Sequence, residues 1–103
     1  ELDSMNEQAY FLLGMIYSQQ AQWGPAVRQF ERARYLNPAS ALVSFYLAEA
    51  YRQLEHPVPA AREYHNTLRK LEQRPPGELL DGVAVGWLRE TCRRQLEHVQ
   101  QQR

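Results

Sequence analysis

Histidine and cysteine are the side chains through which this sequence could bind a metal or attack a substrate. The histidines are His56, His65 and His98, and the one cysteine is Cys92. No two histidines have the i, i+4 spacing that places both imidazoles on one helix face for zinc. A catalytic pair of Cys92 with His98 is the enzymatic alternative, but no spacing motif supports it. We therefore predict surface histidines and a buried structural cysteine.

Glycines and acidic residues in the last third of the chain are the next candidates, for a phosphate-binding loop and for catalytic acids. Gly82 and Gly86 are four residues apart, but we predict no strand before them, so a phosphate-binding loop is not favoured. Glu72, Glu78 and Asp81 are interpreted as ordinary loop acids. We predict no catalytic, cofactor-binding or metal-binding residue, and we do not expect this chain by itself to be an enzyme.

Charge and hydropathy indicate which classes of partner are not expected for this chain. The 103 residues include 12 acidic and 12 basic ones, evenly distributed, so no basic face is predicted and nucleic acid is not expected as a partner. The apolar runs are short, which predicts no membrane insertion and no signal peptide. A lone cysteine favours a reducing, cytoplasmic location. Because the sequence begins Glu1-Leu2-Asp3 without methionine, we interpret it as a piece of a larger protein; processing of the chain is the alternative explanation.

Helical spacing organises the stretch from Tyr10 to Pro38. Small residues at Gly14 and Ala26 would let two helices approach closely. The segment Trp23-Gly24-Pro25 is predicted to be the turn between them, with Pro25 starting the second helix. Bulky and small residues alternate through the stretch at the positions Tyr10, Leu13, Gly14, Tyr17, Ala26, Phe30, Ala33 and Pro38.

The same pattern recurs after 34 residues. Five positions keep the residue type, namely Leu47, Ala48, Tyr51, Ala60 and Tyr64, whereas Ser44, Thr67 and Glu72 depart from it. The second turn is predicted at Glu55–Pro59. This spacing resembles the tetratricopeptide (TPR) repeat, a helix-turn-helix unit of about 34 residues.

The resemblance implies an all-α fold, an α-α superhelix of two TPR helix-turn-helix hairpins plus a C-terminal capping helix. We expect a single domain over 1–103, with repeat 1 at about 7–40 and repeat 2 at about 41–74. A loop at 75–83 would lead to the capping helix at about 84–101, whose outer face is polar, as the end of a repeat stack requires. Ser4 and Glu7 form a capping-box pattern for the start of the first helix.

In TPR domains the first helix of each hairpin lines a concave groove that binds protein or peptide. The resemblance implies that the groove residues here are Gln8, Phe11, Met15, Ser18, Leu42, Phe45, Glu49 and Arg52. We expect the two phenylalanines, with Met15 and Leu42, to form an exposed apolar patch; the alternative is that the C-terminal helix or the parent protein covers it. The charged residues with which some TPR domains clamp acidic C-terminal tails are missing, so a chaperone-tail adaptor is not expected.

A narrower resemblance extends over the whole chain. The stretches Arg32–Gln53, Ala60–Leu80 and Asp81–Cys92 are similar to the C-terminal TPR extension of CheR-type chemoreceptor methyltransferases, including the Wsp surface-sensing type. This implies a non-catalytic module that docks or regulates an attached protein-glutamate O-methyltransferase in bacterial signalling. S-adenosylmethionine would then bind only to an upstream domain.

The partner implied by that resemblance is a chemoreceptor, a component of a signalling complex or the upstream domain itself. The alternative is a structural TPR module of another scaffold protein, which would form a homodimer or larger homo-oligomer. The two hypotheses differ in whether the exposed apolar surface binds another protein or a second copy of the chain.

Overall fold

The computed structural model describes residues 6–101, and this part of the chain is all-α, as predicted, apart from one small β-hairpin. The helices are α1 (Glu7–Gln19), α2 (Trp23–Leu36), α3 (Ala41–Gln53), α4 (Pro57–Leu71) and α5 (Val85–Gln100), and the hairpin strands are β1 (Leu79–Leu80) and β2 (Val83–Ala84). Each helix packs mainly on its neighbours in sequence. The two pairs α1–α2 and α3–α4 therefore form successive helical hairpins, followed by α5.

The turns within the two hairpins lie earlier than the sequence predicts. Trp23 is already the first residue of α2, so Gly24 and Pro25 belong to its first helical turn. In the same way, α4 begins at Pro57, and Pro59 lies inside the helix. Proline fits both places because the first N–H groups of a helix have no partner within it. The prolines thus mark the correct helices. The predicted turn at Trp23-Gly24-Pro25 is wrong, and the one at Glu55–Pro59 is right only for Glu55 and His56.

Both hairpin turns use the same backbone conformation. Ala21 follows α1 with φ of 58°, and Glu55, 34 residues later, follows α3 with φ of 61°. The N–H of Gln22 donates to the Tyr17 carbonyl at 2.9 Å, and the N–H of His56 donates to the Tyr51 carbonyl at 3.0 Å. A left-handed residue with this bond is the Schellman motif, which satisfies carbonyls at a helix C-terminus.

Side-chain caps fix the starts of α1 and α3. The Asn6 side chain accepts a hydrogen bond from the Ala9 N–H at 3.0 Å, and the Ser40 hydroxyl accepts one from the Val43 N–H at 3.2 Å. Such caps satisfy N–H groups that the helix leaves unpaired. Ser4, which the sequence suggested as the cap of α1, lies outside the described residues.

The chain between α4 and α5 is a β-hairpin where the sequence predicted a loop. Leu79 pairs with Ala84, and Leu80 pairs with Val83, in antiparallel register. The two turn residues, Asp81 and Gly82, both have positive φ, as a two-residue type I′ turn requires. The expectation that no strand precedes Gly82 and Gly86 is therefore wrong, and Gly82 serves the hairpin turn.

The same hairpin positions the start of α5. The Val85 N–H donates to the Glu78 carbonyl, and the Gly86 N–H donates to the Pro76 carbonyl, both at 2.9 Å. From this start, the apolar stripe of α5 packs on α4 and α3 in one buried cluster, which includes Leu88 and Cys92. The hairpin therefore turns α5 back across the second hairpin.

Candidate functional site

A cleft of about 440 Å³ lies between α1, α3 and α5. Its walls are largely apolar and aromatic, and four uncharged polar side chains and two charged ones complete the lining. We call it the aromatic cleft; it is lined by Met15, Ser18, Gln19, Trp23, Phe45, Tyr46, Glu49, Trp87, Thr91, Arg94 and Gln95.

Four of the eight residues assigned to a groove from the sequence line this cleft: Met15, Ser18, Phe45 and Glu49. The other four, Gln8, Phe11, Leu42 and Arg52, do not. Gln8 is exposed away from it. Phe11 is half-buried, with its ring centroid 5.9 Å from that of Phe30 and 5.7 Å from that of Tyr46.

The expected patch with two exposed phenylalanines and Leu42 is not present. Phe45 is only 3% exposed and Leu42 only 8%. The ring of Phe45 is surrounded by Tyr46, Tyr64 and Trp87, at centroid distances of 5.2 Å, 6.4 Å and 5.9 Å. Trp87 belongs to α5, so the alternative that the C-terminal helix covers the patch is correct for Phe45.

The residues of α5 in the cleft were missed by the sequence interpretation. One face of α5 carries all the cleft residues of this helix, because they are three or four positions apart: Trp87, Thr91 and Gln95, with Arg94 three after Thr91. The sequence showed the buried stripe of α5 and its polar outer face, and it assigned this helix to capping alone. The sequence signal was the residue type of Trp87, a large aromatic residue next to Leu88 of the buried stripe, and the structure leaves it 53% exposed.

Glu49 and Arg94 are the two charged residues of the cleft, and only Glu49 is paired within the described chain. Its carboxylate accepts from the Tyr64 hydroxyl at 2.5 Å and from the Arg52 guanidinium at 2.9 Å. Burial, together with the charge and hydrogen bond of Glu49, raises the pKa of Tyr64 above its ordinary value of 10.0, so this hydroxyl stays protonated as a donor.

Arg94 lies on the opposite wall. Its guanidinium donates a hydrogen bond to the Thr91 hydroxyl at 3.4 Å, and it forms no ion pair with any residue in 6–101. Because Glu49 is already compensated by Arg52, the charge left unbalanced on the cleft lining is positive.

The residues first considered for chemistry lie apart from this cleft. Cys92 is completely buried, and burial raises the pKa of its thiol to about 12, so the thiol is protonated near neutral pH. His56, His65 and His98 are all on the surface. Among the described residues, no three histidine, cysteine or acidic side chains are grouped as a metal site would require.

A second, smaller depression lies between α4 and α5 and has a structural explanation. Arg89 on its wall donates to the Leu71 carbonyl at 2.6 Å and also to the Arg74 carbonyl. A cation at this place satisfies the carbonyl of Leu71, the last residue of α4, and interacts favourably with the helix dipole. We therefore interpret Arg89 as a cap of α4.

Comparison with known proteins adds no relative: no protein-family model matches the chain, and no curated protein matches it either. No helix within residues 6–101 has the length and apolarity needed to cross a bilayer. The functional interpretation therefore depends on the geometry of the aromatic cleft and on the repeated spacing.

Proposed function

We propose that this chain is a non-catalytic protein-interaction module of the TPR type, and that the aromatic cleft holds a short segment of another polypeptide. The observation that carries the proposal is the cleft itself, with Trp23, Phe45, Tyr46 and Trp87 in its walls. A concave, mainly apolar site with a few polar groups is the usual form of a binding site. Tryptophan is also among the residues that contribute most to protein interfaces.

The uncharged polar residues of the cleft favour a polypeptide as the occupant. Ser18, Gln19, Thr91 and Gln95 surround the aromatic walls. A glutamine side chain offers both a donor and an acceptor, and a hydroxyl does the same. This set matches the alternating N–H and C=O groups of a peptide backbone, which a purely apolar ligand lacks.

We further propose that the module docks or regulates an attached S-adenosylmethionine-dependent methyltransferase of the chemoreceptor type, in the cytoplasm. The support is the sequence resemblance of Arg32–Gln53, Ala60–Leu80 and Asp81–Cys92. The segment in the cleft would then belong to a chemoreceptor, a signalling-complex component or the methyltransferase domain. The cofactor would bind upstream, and this chain would supply no catalytic group.

The test is a selection of displayed random peptides on the wild-type protein, followed by calorimetry with selected peptides and with chemoreceptor cytoplasmic fragments. Trp87→Ala should weaken binding about tenfold or more, because truncating an aromatic interface anchor costs about 1–2 kcal/mol or more. Val58→Ala is the control, since Val58 is 59% exposed and outside the cleft. If no ligand depends on Trp87, the cleft is not the binding site.

Self-association is a second candidate function, favoured by the outer face of α1. Leu12 and Ile16 are 51% and 49% exposed there. The residues 34 positions later, Tyr46 and Ala50, are instead covered by α2: Tyr46 stacks on Phe30 at 6.1 Å, and Ala50 is fully buried. Within residues 6–101, the apolar face of α1 therefore lacks the cover that α3 has.

The size of this face limits the strength of any dimer. Two half-exposed side chains offer much less than the roughly 800 Å² per partner of a standard interface, so we expect weak association. Sedimentation velocity at several concentrations should show a dimer that Leu12→Gln with Ile16→Gln abolishes. A strict monomer at the highest concentration would end this candidate.

A further inference from the structure

We propose that the polypeptide segment bound in the aromatic cleft is acidic, and that Arg94 of α5 recognises its carboxylate. This inference rests on the proposed function and adds the chemistry of the partner. The charge left unbalanced on the cleft lining is that of Arg94, because the Glu49 carboxylate is already bonded to Arg52 and Tyr64. An arginine fork binds a carboxylate through two parallel hydrogen bonds, which gives both affinity and orientation.

The charged neighbours of Arg94 on its own helix do not remove this preference. Glu90 and Glu97 lie one turn to either side, and neither forms an ion pair with Arg94 in the described part of the chain. Neither of them lines the cleft, and both are exposed to solvent. Arg94 is exposed as well, so solvent and salt screen its attraction to Glu90 and Glu97, whereas a carboxylate seated in the cleft would contact the guanidinium directly.

The helix geometry of α5 sets the spacing within the bound segment. Trp87 and Arg94 are seven residues apart on one face, which corresponds to about 10 Å along the helix. A peptide in the polyproline II conformation has three residues per turn and advances about 3.1 Å per residue, so side chains three residues apart share one face and lie about 9 Å apart. The expected segment therefore carries a bulky apolar side chain against Trp87 and an aspartate or glutamate about three residues away.

The two tryptophans of the sequence give a direct readout. Trp23 and Trp87 are both in the lining of the aromatic cleft, and the chain has no other tryptophan. A change in intrinsic tryptophan fluorescence therefore reports on the cleft, provided that the added ligand has no tryptophan. The first probe is the peptide acetyl-Gly-Phe-Ser-Ser-Glu-Gly-amide, and matched peptides carry glutamine or lysine in place of the glutamate.

We expect the glutamate peptide to bind about tenfold more tightly than the lysine peptide, a difference of about 1.4 kcal/mol, because the guanidinium attracts the carboxylate and repels the ammonium group. Arg94→Glu should reverse the order of the two peptides. Arg93→Glu is the matched control: it makes the same charge change on the next residue, which is exposed and does not line the cleft, so the order should stay as in the wild type. In the peptide selection, the wild type should enrich acidic residues and Arg94→Glu should enrich basic ones.

Each other result has a definite meaning. If Trp87-dependent peptides are selected without acidic enrichment, or if Arg94→Glu keeps the wild-type order, the charge inference is wrong and the proposed function stands. If no peptide changes the fluorescence or depends on Trp87, both fail. If the fatty acid laurate changes the fluorescence and peptides do not, the cleft binds a small amphiphile, and both are again overturned.

Discussion

Gly14 faces the ring of Phe30 so closely that no side chain fits between them. A Cβ atom placed on Gly14 would lie 2.5 Å from the nearest ring carbon of Phe30, whose side chain is completely buried. We therefore expect Gly14→Ala to lower the free energy of unfolding by about 1–3 kcal/mol, the usual cost of overpacking, although alanine is the better helix former.

Urea denaturation checks this expectation, and Gly24→Ala is its control. Gly24 also lies in a helix, but an added Cβ would have no neighbour within 4 Å. Alanine there should leave stability unchanged or raise it by up to about 1 kcal/mol. Equal effects of the two substitutions on the free energy of unfolding would show that Phe30 does not restrict the size of the side chain at position 14.

Glu63 is a fully buried acid on α4 that links the two hairpins. Its carboxylate forms an ion pair with Arg34 of α2 and accepts from the Asn66 amide at 3.3 Å. Glu63→Ala leaves these donors without their acceptor, so we expect a loss of about 3 kcal/mol in the free energy of unfolding. Glu72→Ala, at an exposed acid just past α4, should change it by less than about 0.5 kcal/mol. A small effect at Glu63 would mean that water replaces the lost carboxylate.

Residue type indicated a close helix approach at Gly14, although not the contact with Phe30, and it did not indicate the burial of Glu63. Gly14, four residues after Tyr10 in the repeated pattern, suggested close helix contact, because glycine lowers the stability of a helix interior and needs a reason to be there. A glutamate on a helix is exposed in most proteins, so Glu63 gave no sign that it is buried. Its burial depends on Arg34, which is 29 residues away in sequence.

At the scale of the elements, periodicity predicted the helices well and their ends less well. The apolar stripe of a helix can be recognised without knowing where the helix ends. The ends of α1 and α3 depend on Ala21 and Glu55, which have positive φ although alanine and glutamate rarely adopt it. A glycine at either place would have marked the helix end. The Asp81–Gly82 hairpin was predictable, since this pair between two apolar dipeptides is a strong turn signal.

The candidate site was predicted in part for a related reason. The resemblance to the TPR repeat indicated Met15, Ser18, Phe45 and Glu49, because it assigns groove positions by their spacing along the first helix of each hairpin, and that spacing is local information. The α5 wall of the cleft depends on how the β-hairpin directs the chain back toward α3. No local pattern in the sequence carries that direction, so Trp87 and Arg94 were not assigned to the site.

The left-handed residue after α3 gives a prediction about this element. Glu55 has φ of 61°, which is unfavourable for a side chain and natural for glycine. Glu55→Gly should therefore raise the free energy of unfolding by about 0.5–1 kcal/mol, because the relief of strain exceeds the entropy cost of glycine. Gln53→Gly, two residues earlier in the last turn of α3, should lower it by about as much. Urea titrations of the wild type and both variants measure the free energy of unfolding. Destabilisation by both glycines would contradict the prediction.

On the scale of the whole molecule, the core is a row of clusters along the stack of helices. One cluster joins α3, α4 and α5 and contains Tyr64 and Cys92; the next joins α2 and α3. Each helix depends on its neighbours, so destabilising one cluster should weaken the adjacent ones. Several groups that can lose a proton at alkaline pH lie in or beside these clusters.

The alkaline stability of the whole chain follows from these groups. Burial raises the pKa of Cys92 from 9.0 to about 12, and burial with the Glu31 hydrogen bond raises that of Tyr51 from 10.0 to about 12. The pKa of Tyr64 is raised as well. In the unfolded chain these groups lose their protons at the ordinary values, whereas the folded chain retains them. Between the two values the unfolded state binds fewer protons, so the free energy of unfolding falls as pH rises.

We therefore expect these groups to leave the free energy of unfolding unchanged below about pH 9. Above that pH it should fall because of Cys92, and above about pH 10 because of the tyrosines as well. Urea denaturation at several pH values between about 7 and 11 measures the decrease. Tyr64→Phe should be less stable than the wild type near neutral pH, since it loses the bonds to Glu49 and Arg52, but it should decrease less steeply above about pH 10. Tyr35→Phe, at a tyrosine that is 86% exposed, should keep the wild-type slope. If Tyr64→Phe also keeps that slope, the buried hydroxyl does not govern alkaline unfolding, and the loss of stability must come from other groups in the core.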